Sequence, residues 1–483
     1  MAKDYSAYFT RPSAKEARKR KTTQTPIVSF EAHINVRHLG VGKQYLIQTY
    51  GCQGNEADTE NMRGILEQMG FTATEDETVA DLIILNTCAI RENAENRVFG
   101  EIGRLKKYKK HNPDLILGVA GCMPQDESVV DRLLKSYPYV DLIFGTHNIH
   151  QLPYYLETAM FGKERVVEVL SIEGSIIENM PKKRQNTVKA WVHIMFGCDE
   201  FCTYCIVPYT RGKERSRQPE AILEEVRQLA LEGYQEVTLL GQNVNAYGRD
   251  FTDKAYTFAN LLEDLRHTDM PRIRFMTSHP RDFDQATVDV LAKGGNLMPH
   301  IHLPVQSGSN QVLKKMNRKY TLERYLDLVD ALYEAIPDMS LTTDIIVGFP
   351  NETEEDFAQT LALVERCRFE GAFTFIFSAR ANTPAASYLD ETAMAEKKAR
   401  LQRLNTLVND GYLKGNERFL NHTVEVLVDG ESKHDDAVLA GYSKHGKLVN
   451  FKGPKALIGT RVNVRITEAK TWFLLGVYDE SLT

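Results

Sequence analysis

Three cysteines fall within eight residues, in the stretch GCDEFCTYC at positions 197–205. Cys198, Cys202 and Cys205 have the spacing C-x3-C-x2-C and follow a predicted strand at 188–196. Cysteine thiolate is the usual protein ligand of iron–sulfur clusters, so three thiols this close in sequence can hold one cluster. Three ligands leave the fourth iron of a cube open, and an open iron can bind a small molecule and pass it an electron. The stretch therefore predicts a loop wrapped around a cluster.

A zinc knuckle or a plain cysteine-rich turn is the alternative interpretation of the same spacing. Zinc requires a fourth cysteine or histidine nearby. His193 is the candidate, and the strand periodicity equally places it in the wall of a barrel. The spacing favours the iron–sulfur cluster over zinc.

The motif and its flanks resemble the radical S-adenosylmethionine (SAM) superfamily. The resemblance implies that Cys198, Cys202 and Cys205 hold a 4Fe-4S cluster and carry its chemistry. SAM would then chelate the open iron through its amino and carboxylate groups. Tyr204, just before the last cysteine, also fits the superfamily pattern and is a candidate contact to the cofactor.

Length and composition bound the class of protein. The chain has 483 residues, of which 42% are hydrophobic and 26% charged, typical of a globular protein with two to four domains. The seven cysteines are an odd number, which argues against a full disulfide framework. No apolar run approaches the ~18 residues of a membrane helix, and the N-terminus lacks a signal peptide. We therefore expect a cytoplasmic protein without a membrane partner.

The patterning divides the chain into four parts, 1–40, 41–160, 185–418 and 419–483. Residues 1–40 are rich in lysine and arginine and predict a flexible basic arm, with an RNA-gripping tail as the alternative. From position 43, strands alternate with amphipathic helices, which predicts a doubly wound parallel sheet. The predicted strands are 43–48, 79–86, 114–120 and 140–144, and the predicted helices are 58–69, 91–111, 127–135 and 149–158.

Three further cysteines each come at the end of a strand of this predicted sheet. Cys52 follows the first strand, Cys88 the second and Cys122 the third. Ligands bind at the carboxyl edge of open parallel sheets, so these thiols are candidates for a second cluster. Three buried structural cysteines are an equal alternative, because free cysteine packs well as a small hydrophobe. Position alone leaves the two interpretations open.

The surrounding motifs resemble the N-terminal domain of the methylthiotransferases. They are QTYGCQGN at 48–55, NTCAIR at 86–91 and GCM at 121–123. The resemblance implies that Cys52, Cys88 and Cys122 hold an auxiliary 4Fe-4S cluster.

A second alternating series begins near position 188 and predicts an open barrel of six strand–helix units, the version used by the radical SAM superfamily. Active sites of such barrels gather at the carboxyl ends of the strands. Polar residues near those ends are our candidates for contacts to SAM or substrate: Asn243, Ser278, Gln306 and Asp344. The predicted strands are 188–196, 236–240, 272–276, 301–303, 340–347 and 372–377.

The basic residues after the cysteine motif have two interpretations. Arg211, Lys213, Arg215 and Arg217 either face phosphates or the SAM carboxylate, or belong to a solvated loop. The basic run at 181–184 is likewise either solvated or in contact with phosphate. Cys367, in a predicted helix at 354–368, has no partner motif and is assigned to packing.

After a long charged helix at 392–419, the hydrophobic period changes to two. Five short strands are predicted at 423–428, 438–442, 447–451, 461–466 and 472–477, joined by polar turns, which is typical of a small OB-type barrel. The stretch from 441 to 451 resembles the TRAM domain, an RNA-binding module. That resemblance, and not the local charge, indicates RNA.

The stretches FCTYCIVPYTRG at 201–212 and LLGQNVNAY at 239–247 resemble the methylthiotransferases that act on isopentenylated adenosine. The expected substrate is a tRNA anticodon stem-loop with isopentenyladenosine at position 37. One SAM would donate a methyl group to a sulfur at the auxiliary cluster, and a second would yield the radical that removes hydrogen from carbon 2. An electron donor such as flavodoxin or ferredoxin and a sulfur source are expected partners. Asn351 stands where the family usually has glycine.

Three alternatives remain at this point. Two belong to the same family and act on threonylcarbamoyladenosine in tRNA or on an aspartate of a ribosomal protein. The third is an iron–sulfur sensor that binds RNA without consuming SAM, and the motif at 198–205 argues against it.

Overall fold

The computed structural model describes residues 25–31, 38–89, 92–169, 175–253, 255–433 and 435–478, with 92–94 described only as backbone. Most of the predicted basic arm, 1–40, lies outside these ranges. Within them, no helix is long and apolar enough to cross a membrane. The chain is an α/β protein with an N-terminal parallel sheet, a central barrel of parallel strands and a small C-terminal β-barrel.

The N-terminal sheet has six parallel strands in the order β3-β2-β4-β5-β6-β7, with a separate parallel pair, β1 and β8, beside it. Apolar clusters cover both of its faces, as a doubly wound sheet requires. The strands are β1 (Ile27–Ser29), β2 (Gln44–Tyr50), β3 (Thr72–Ala73), β4 (Leu82–Thr87), β5 (Ile116–Gly121), β6 (Leu142–Gly145), β7 (Val166–Glu168) and β8 (Ile176–Glu178). The helices are α1 (Gln53–Gln68), α2 (Glu92–His111), α3 (Glu127–Ser136) and α4 (Leu152–Glu157).

The register of the three central strands positions Cys52, Cys88 and Cys122. Tyr50 pairs with Thr87, and Thr87 pairs with Gly121, so β2, β4 and β5 end at the same level. The four strands predicted here are confirmed, whereas the short strands β1, β3, β7 and β8 were missed. Two- and three-residue strands carry too few side chains to show a period.

The central barrel contains six parallel strands in two three-stranded sheets, β13-β12-β9 and β14-β15-β16. Its strands are β9 (Lys189–His193), β12 (Glu236–Leu240), β13 (Arg272–Phe275), β14 (His300–His302), β15 (Ser340–Val347) and β16 (Ala372–Ile376). The helices are α5 (Val207–Thr210), α6 (Pro219–Leu231), α7 (Phe258–Arg266), α8 (Gln285–Ala292), α9 (Asn310–Lys315), α10 (Leu322–Ala335), α11 (Glu354–Cys367) and α12 (Met394–Glu417). The six predicted strands are confirmed.

The prediction of one continuous strand at 188–196 was wrong in one respect. The barrel strand β9 ends at His193, and a separate strand, β10 (Met195–Phe196), pairs antiparallel with β11 (Arg215–Ser216). This two-stranded ribbon brackets the loop that carries Cys198, Cys202 and Cys205. The chain therefore leaves the barrel sheet before that loop begins.

Two residues singled out in the sequence fit the barrel as expected. Cys367 is fully buried in the core between strands and helices, which confirms its assignment to packing. Asn351 has a φ of 59°, a left-handed conformation that glycine and asparagine tolerate best. Asparagine can therefore take the place of the glycine usual in the family.

The C-terminal region forms a closed barrel in the order β17-β18-β19-β21-β20. Its strands are β17 (Thr423–Ser432), β18 (Asp435–Ser443), β19 (Leu448–Lys452), β20 (Arg461–Ala469) and β21 (Leu474–Tyr478). It packs against the amino ends of the central strands, where buried Arg272 at the start of β13 pairs with Glu425 and donates to the Tyr442 carbonyl. The small barrel therefore sits at the end opposite to the cysteine loop.

Candidate active site between two cysteine triads

Cys198, Cys202 and Cys205, the loop triad, lie in a loop whose entry is sterically fixed. Gly197 has a φ of 76°, and a methyl group on it would lie 1.9 Å from the Lys213 carbonyl oxygen. The backbone N–H of Cys198 donates to the Gly212 carbonyl at 3.1 Å. Only glycine fits this crossing, which brings the start and the end of the loop together.

The tip of the loop is held by a neighbouring turn of the barrel. The N–H and hydroxyl of Thr203 donate to the carbonyls of Met316 and Lys315, both at 2.9 Å. The side-chain amide of Asn317 donates to the Phe201 carbonyl at 2.7 Å. These bonds replace the regular backbone pairing that a loop lacks.

The thiols of the loop triad are buried together. Burial raises the pKa of Cys205 to about 12. Burial also raises the pKa of Cys198 well above its usual value, with the charges of Glu214 and of the other two cysteines adding to the shift. Arg318 donates to the Cys202 sulfur at 3.5 Å and to the Pro304 carbonyl at 3.0 Å. Metal ligation requires thiolates, and a bound cation would stabilise that form of Cys198 and Cys205. The donor set fits an iron–sulfur cluster.

Cys52, Cys88 and Cys122, the strand-end triad, occupy the carboxyl ends of β2, β4 and β5, which confirms their predicted positions. Cys88 follows β4 directly, Cys122 follows β5 directly, and Cys52 is the N-cap residue of α1. Cys52 is hydrogen-bonded to Cys88. Burial raises the pKa of Cys122, and the charge of Cys52 adds to that shift. The fold thus brings together three thiols that are 36 and 34 residues apart.

A buried amide network fixes the three strand ends. Asn55, near the start of α1, donates to the Asn86 side chain and to the Thr87 carbonyl, both at 3.2 Å. Asn86 in turn donates to the Asn55 carbonyl at 2.8 Å. Thr87 also accepts from the Cys122 N–H at 2.8 Å. Sequence analysis did not single out these residues, although Asn86 and Thr87 directly precede Cys88.

Arg211, from the loop that follows the loop triad, reaches the strand-end triad. It is buried, and its guanidinium donates to the Cys122 sulfur at 3.1 Å and to Asp58 at 2.7 Å. A hydrogen bond with Cys88, aided by the charge of Arg211, lowers the pKa of Cys52 to about 5 despite burial. The sequence interpretations of Arg211, contact with phosphate or the SAM carboxylate or a place in a solvated loop, did not anticipate this contact.

The other basic residues of these segments are also buried or held in ion pairs, although Lys183 is exposed. Arg217 pairs with Glu178 and Glu225, and Glu225 also pairs with Lys182 and Arg184. Burial raises the pKa of Glu225, but these cations outweigh it and lower the pKa well below its usual value. This network ties the 181–184 segment to α6 of the barrel. Arg215, also buried, lies over the Phe196 ring.

His193, the fourth ligand of the zinc alternative, lies at the end of β9 against the ring of Phe196, with 5.0 Å between centroids. A methyl group on Gly54 would lie 3.9 Å from its ring. Burial lowers the pKa of His193 to about 3, so the ring is neutral.

Two of the five candidates for SAM contacts, Asn243 and Ser278, converge near the cysteine loop. Asn243 donates to Asp282 at 2.6 Å, and Arg281 beside it pairs with Glu200 of the loop. The side-chain amide oxygen of Asn243 and the Ser278 hydroxyl are buried and, in the described part of the chain, lack a hydrogen-bond partner. Buried polar atoms are normally satisfied. Both atoms are therefore available for a hydrogen bond to a bound molecule.

The other three candidates lie elsewhere around the barrel. Gln306 is buried with a φ of 73°, and its N–H donates to the Asp344 carbonyl at 2.8 Å. Asp344 lies in the middle of β15, and its carboxylate faces His302 at 3.4 Å. Tyr204 packs against the apolar cluster that contains Phe349, and burial raises its pKa well above its usual value. Of these three, Asp344 lies farther from the strand end than the sequence suggested.

The charged cluster beside the cysteine loop was missed at the sequence level. Its members are Glu200, His279 and Asp282, whose ligating atoms lie within 4.8 Å of one another. Arg281 pairs with both carboxylates, which makes the cluster an ion-pair network. Burial lowers the pKa of His279 well below its usual value, so the ring is neutral. The cluster comes from two stretches that are far apart in sequence, DEFC at 199–202 and SHPRD at 278–282, and only the fold brings them together.

A cavity of about 200 Å³ borders residues next to both triads. Its wall includes Ala89, Met123 and Ile206, the residues that directly follow Cys88, Cys122 and Cys205. The loop after β16 forms the opposite wall with Ala379 and Ala381. The cavity is therefore bounded by neighbours of cysteines from both triads.

Three family models match the three regions. The radical SAM superfamily matches residues 192–364, the family described as uncharacterized protein family UPF0004 matches 44–145, and the TRAM domain matches 417–478. The strand-end triad falls within the second match and the loop triad within the first.

Full-length relatives carry one description. The chain is 60% identical over 480 residues to the tRNA-2-methylthio-N(6)-dimethylallyladenosine synthase of Anoxybacillus flavithermus, covering 98% of this chain and 91% of the relative. It is also 60% identical over 479 residues to the protein of the same description from Bacillus subtilis, covering 98% and 94%.

Among solved structures, the radical S-adenosylmethionine methyltransferase TsrM from Kitasatospora setae, bound to cobalamin and a [4Fe-4S] cluster, is similar with a TM-score of 0.51. The match covers 71% of this chain and 77% of TsrM at 15% sequence identity. At this identity the likeness concerns the fold alone.

Proposed function

The chain belongs to the tRNA-2-methylthio-N(6)-dimethylallyladenosine synthases and is a radical SAM enzyme, and we propose that its two cysteine triads hold the two clusters of this reaction. The substrate is a tRNA that carries dimethylallyladenosine, at position 37 beside the anticodon, and the product bears a methylthio group on carbon 2 of the ring. This carbon offers no proton of useful acidity. Acid–base catalysis is therefore unsuited to the reaction, and a radical route is required.

A radical SAM domain implies a 4Fe-4S cluster and SAM. We assign this cluster to Cys198, Cys202 and Cys205. Three buried groups near it, Asn243, Ser278 and Glu200, offer polar atoms to SAM, and Gln306 does so from farther around the barrel. The support is the convergence of the three thiols, together with the unsatisfied oxygens of Asn243 and Ser278 among the described residues.

We assign the second cluster to Cys52, Cys88 and Cys122. Its support is the common level of the three strand ends and the amide network that fixes them. Three thiols at the ligand-binding edge of a parallel sheet match the donor set of a 4Fe-4S cluster that retains one open iron.

The cavity bounded by the residues that directly follow Cys88, Cys122 and Cys205 is the single observation that carries the proposal. A base held there would face both clusters at once. When bound, the clusters and SAM supply an electron, a carbon radical that removes the hydrogen, and the methylthio group. To reach this position the base must leave its stack, which favours a single-stranded anticodon loop over a duplex.

The residues of the chain have three tasks in this arrangement. Gly197 and the bonds to Thr203 hold the cysteine loop in place, and the Asn55–Asn86 network does the same for the strand ends. The apolar residues Ala89, Met123 and Ile206 give a base in the cavity a surface to pack against, and the same cavity also carries the polar residues Glu95, Asn96 and Asp126.

The C-terminal barrel is the TRAM domain, which supports tRNA as the substrate. We propose that it grips the tRNA away from the reacting base, since it packs at the opposite end of the central barrel. An external electron donor such as flavodoxin or ferredoxin and an external sulfur source complete the proposal, because the reaction consumes both electrons and sulfur.

An anaerobic assay tests the proposed function. Protein with reconstituted clusters receives reductant, SAM and a synthetic anticodon stem-loop with dimethylallyladenosine, and digested nucleosides are analysed by mass spectrometry. We expect a nucleoside in which methylthio replaces one hydrogen. SAM cleavage without a change in this RNA would contradict the assigned substrate, and the RNA with threonylcarbamoyladenosine and the ribosomal protein would then be tested.

A further inference from the structure

The backbone of Arg211 is fixed by hydrogen bonds at the end of the loop that carries the loop triad. Arg211 comes six residues after Cys205, at the end of α5, where its N–H donates to the Val207 carbonyl at 2.8 Å. The next residue, Gly212, accepts the hydrogen bond from Cys198 at 3.1 Å. A shift of Arg211 would therefore move both ends of the cysteine loop.

The side chain of Arg211 leaves the central barrel and enters the strand-end triad. Its Nε donates to the Cys122 sulfur at 3.1 Å, and its second terminal nitrogen donates to Asp58 of α1 at 2.7 Å. A methyl group built on Gly54 would lie 3.7 Å from that nitrogen and 3.6 Å from the Cys52 sulfur. The guanidinium thus lies beside two of the three cysteines.

The charge of Arg211 is kept in a buried place. The residue is 5% exposed and Asp58 is 4% exposed. Burial lowers the pKa of the guanidinium, but the charges of Asp58, Cys122 and Cys52 outweigh it and raise that pKa well above its usual value. A buried ion pair alone is a weak source of stability. Its placement against sulfur therefore calls for a role other than stability.

We propose that Arg211 is a positioning residue that couples the two triads: anchored in one cysteine loop, it orients Cys122 in the other and raises the reduction potential of a cluster bound there. A hydrogen bond and a positive charge at a ligand sulfur stabilise the more negative, reduced cluster. The inference rests on the proposed function in one respect, the placement of a cluster at the strand-end triad.

A redox titration on protein with one cluster tests this inference. The parent variant carries Cys198→Ala, Cys202→Ala and Cys205→Ala, so that only the strand-end triad binds iron. Arg211→Ala and Arg211→Lys are introduced into this parent, and the reduced fraction is followed by electron paramagnetic resonance. Arg217→Lys is the matched control, because Arg217 is also buried and ion-paired but bonds to Glu178, Glu225 and the His193 carbonyl.

We expect Arg211→Ala to lower the ratio of reduced to oxidised cluster at the midpoint potential of the parent by at least about tenfold. Arg211→Lys should cause a smaller fall, since lysine keeps the charge but loses the fixed donor geometry. Arg217→Lys should match the parent. Iron per chain is measured for each variant.

Equal midpoint potentials for the parent, Arg211→Ala and Arg217→Lys would overturn the coupling. If Arg211→Ala binds no iron, Arg211→Lys decides, and an unchanged potential in that variant would also overturn it. If the parent itself binds no iron, the second cluster of the proposed function fails, and the coupling fails with it. That result is distinct, because it appears before Arg211 is changed.

Discussion

The loop triad and the strand-end triad bring three thiols together by different means. The loop triad spans eight residues of one loop, and hydrogen bonds to its neighbours fix its shape. In the strand-end triad, 36 and 34 residues separate successive cysteines, and only the common register of β2, β4 and β5 makes them neighbours. A local motif predicts its own geometry, whereas a ligand set built from strand ends depends on the whole sheet.

The two triads also differ in their charged surroundings. Arg318 contacts Cys202 in the loop triad, with the acidic Glu214 also near Cys198. In the strand-end triad Arg211 donates a hydrogen bond to Cys122 and forms an ion pair with Asp58. The same ligand type is therefore placed in two electrostatic settings, as two clusters with different tasks would require.

The largest effect is expected from a change in the loop triad, which should stop SAM cleavage. Cys198→Ala should abolish reductive cleavage of SAM and lower bound iron from about eight to about four atoms per chain, because one of two 4Fe-4S clusters is lost. The measurement is the 5'-deoxyadenosine formed anaerobically, together with iron analysis. Wild-type SAM cleavage by this variant would disprove the assignment of the loop triad.

The converse change is expected to split cleavage from sulfur transfer. Cys88→Ala should retain some SAM cleavage but form no methylthio nucleoside, and bound iron should again fall to about four atoms per chain. Both products are measured in one reaction by mass spectrometry. A variant that still methylthiolates the RNA at the wild-type rate would show that the strand-end triad has no part in the reaction.

A smaller effect should follow from damage to the sheet. Gly121 has a φ of 100°, and a methyl group on it would lie 2.4 Å from the Thr87 carbonyl and 2.5 Å from the Asn86 side chain. Gly121→Ala should cost at least about 1–3 kcal/mol of unfolding free energy through backbone strain and displace Cys122. We expect loss of iron at the strand-end triad and retained SAM cleavage, measured by denaturant unfolding and iron analysis.

Gly103→Ala is the matched control for this change. Gly103 lies within α2, and a methyl group there meets no atom within 4 Å. Alanine is the better helix former by about 0.5–1 kcal/mol, so this variant should be slightly stabilised and keep its iron. Equal iron loss in both variants would contradict the role of the strand-end geometry.

The smallest effect is expected at the cysteine that belongs to neither triad. Cys367 is fully buried among apolar side chains of the central core. Cys367→Ala should leave iron content and SAM cleavage unchanged and cost about 1 kcal/mol of unfolding free energy through the lost packing. A fall in iron content would show that the division of the cysteines into two triads is incomplete.

The amino-acid sequence by itself determined the elements and the loop triad. Its alternating periods predicted the four longest N-terminal strands, the six barrel strands and the five strands of the C-terminal barrel, because a buried face imposes its period on the side chains. The spacing at 198–205 carried the cluster motif in the same way, since all of its ligands lie in one loop. Resemblance of three separate motifs was needed to group Cys52, Cys88 and Cys122.

Tertiary structure alone decided which distant residues meet. The pairing of Arg211 with Asp58 and Cys122, the Asn55–Asn86 network and the contact of Glu200 with His279 and Arg281 all join segments tens of residues apart. A lone arginine or asparagine has no sequence period, and its partner is set by strand register and by the packing of one region on another. That is why Arg211 appeared in the sequence as a loop residue and in the fold as the link between the two triads.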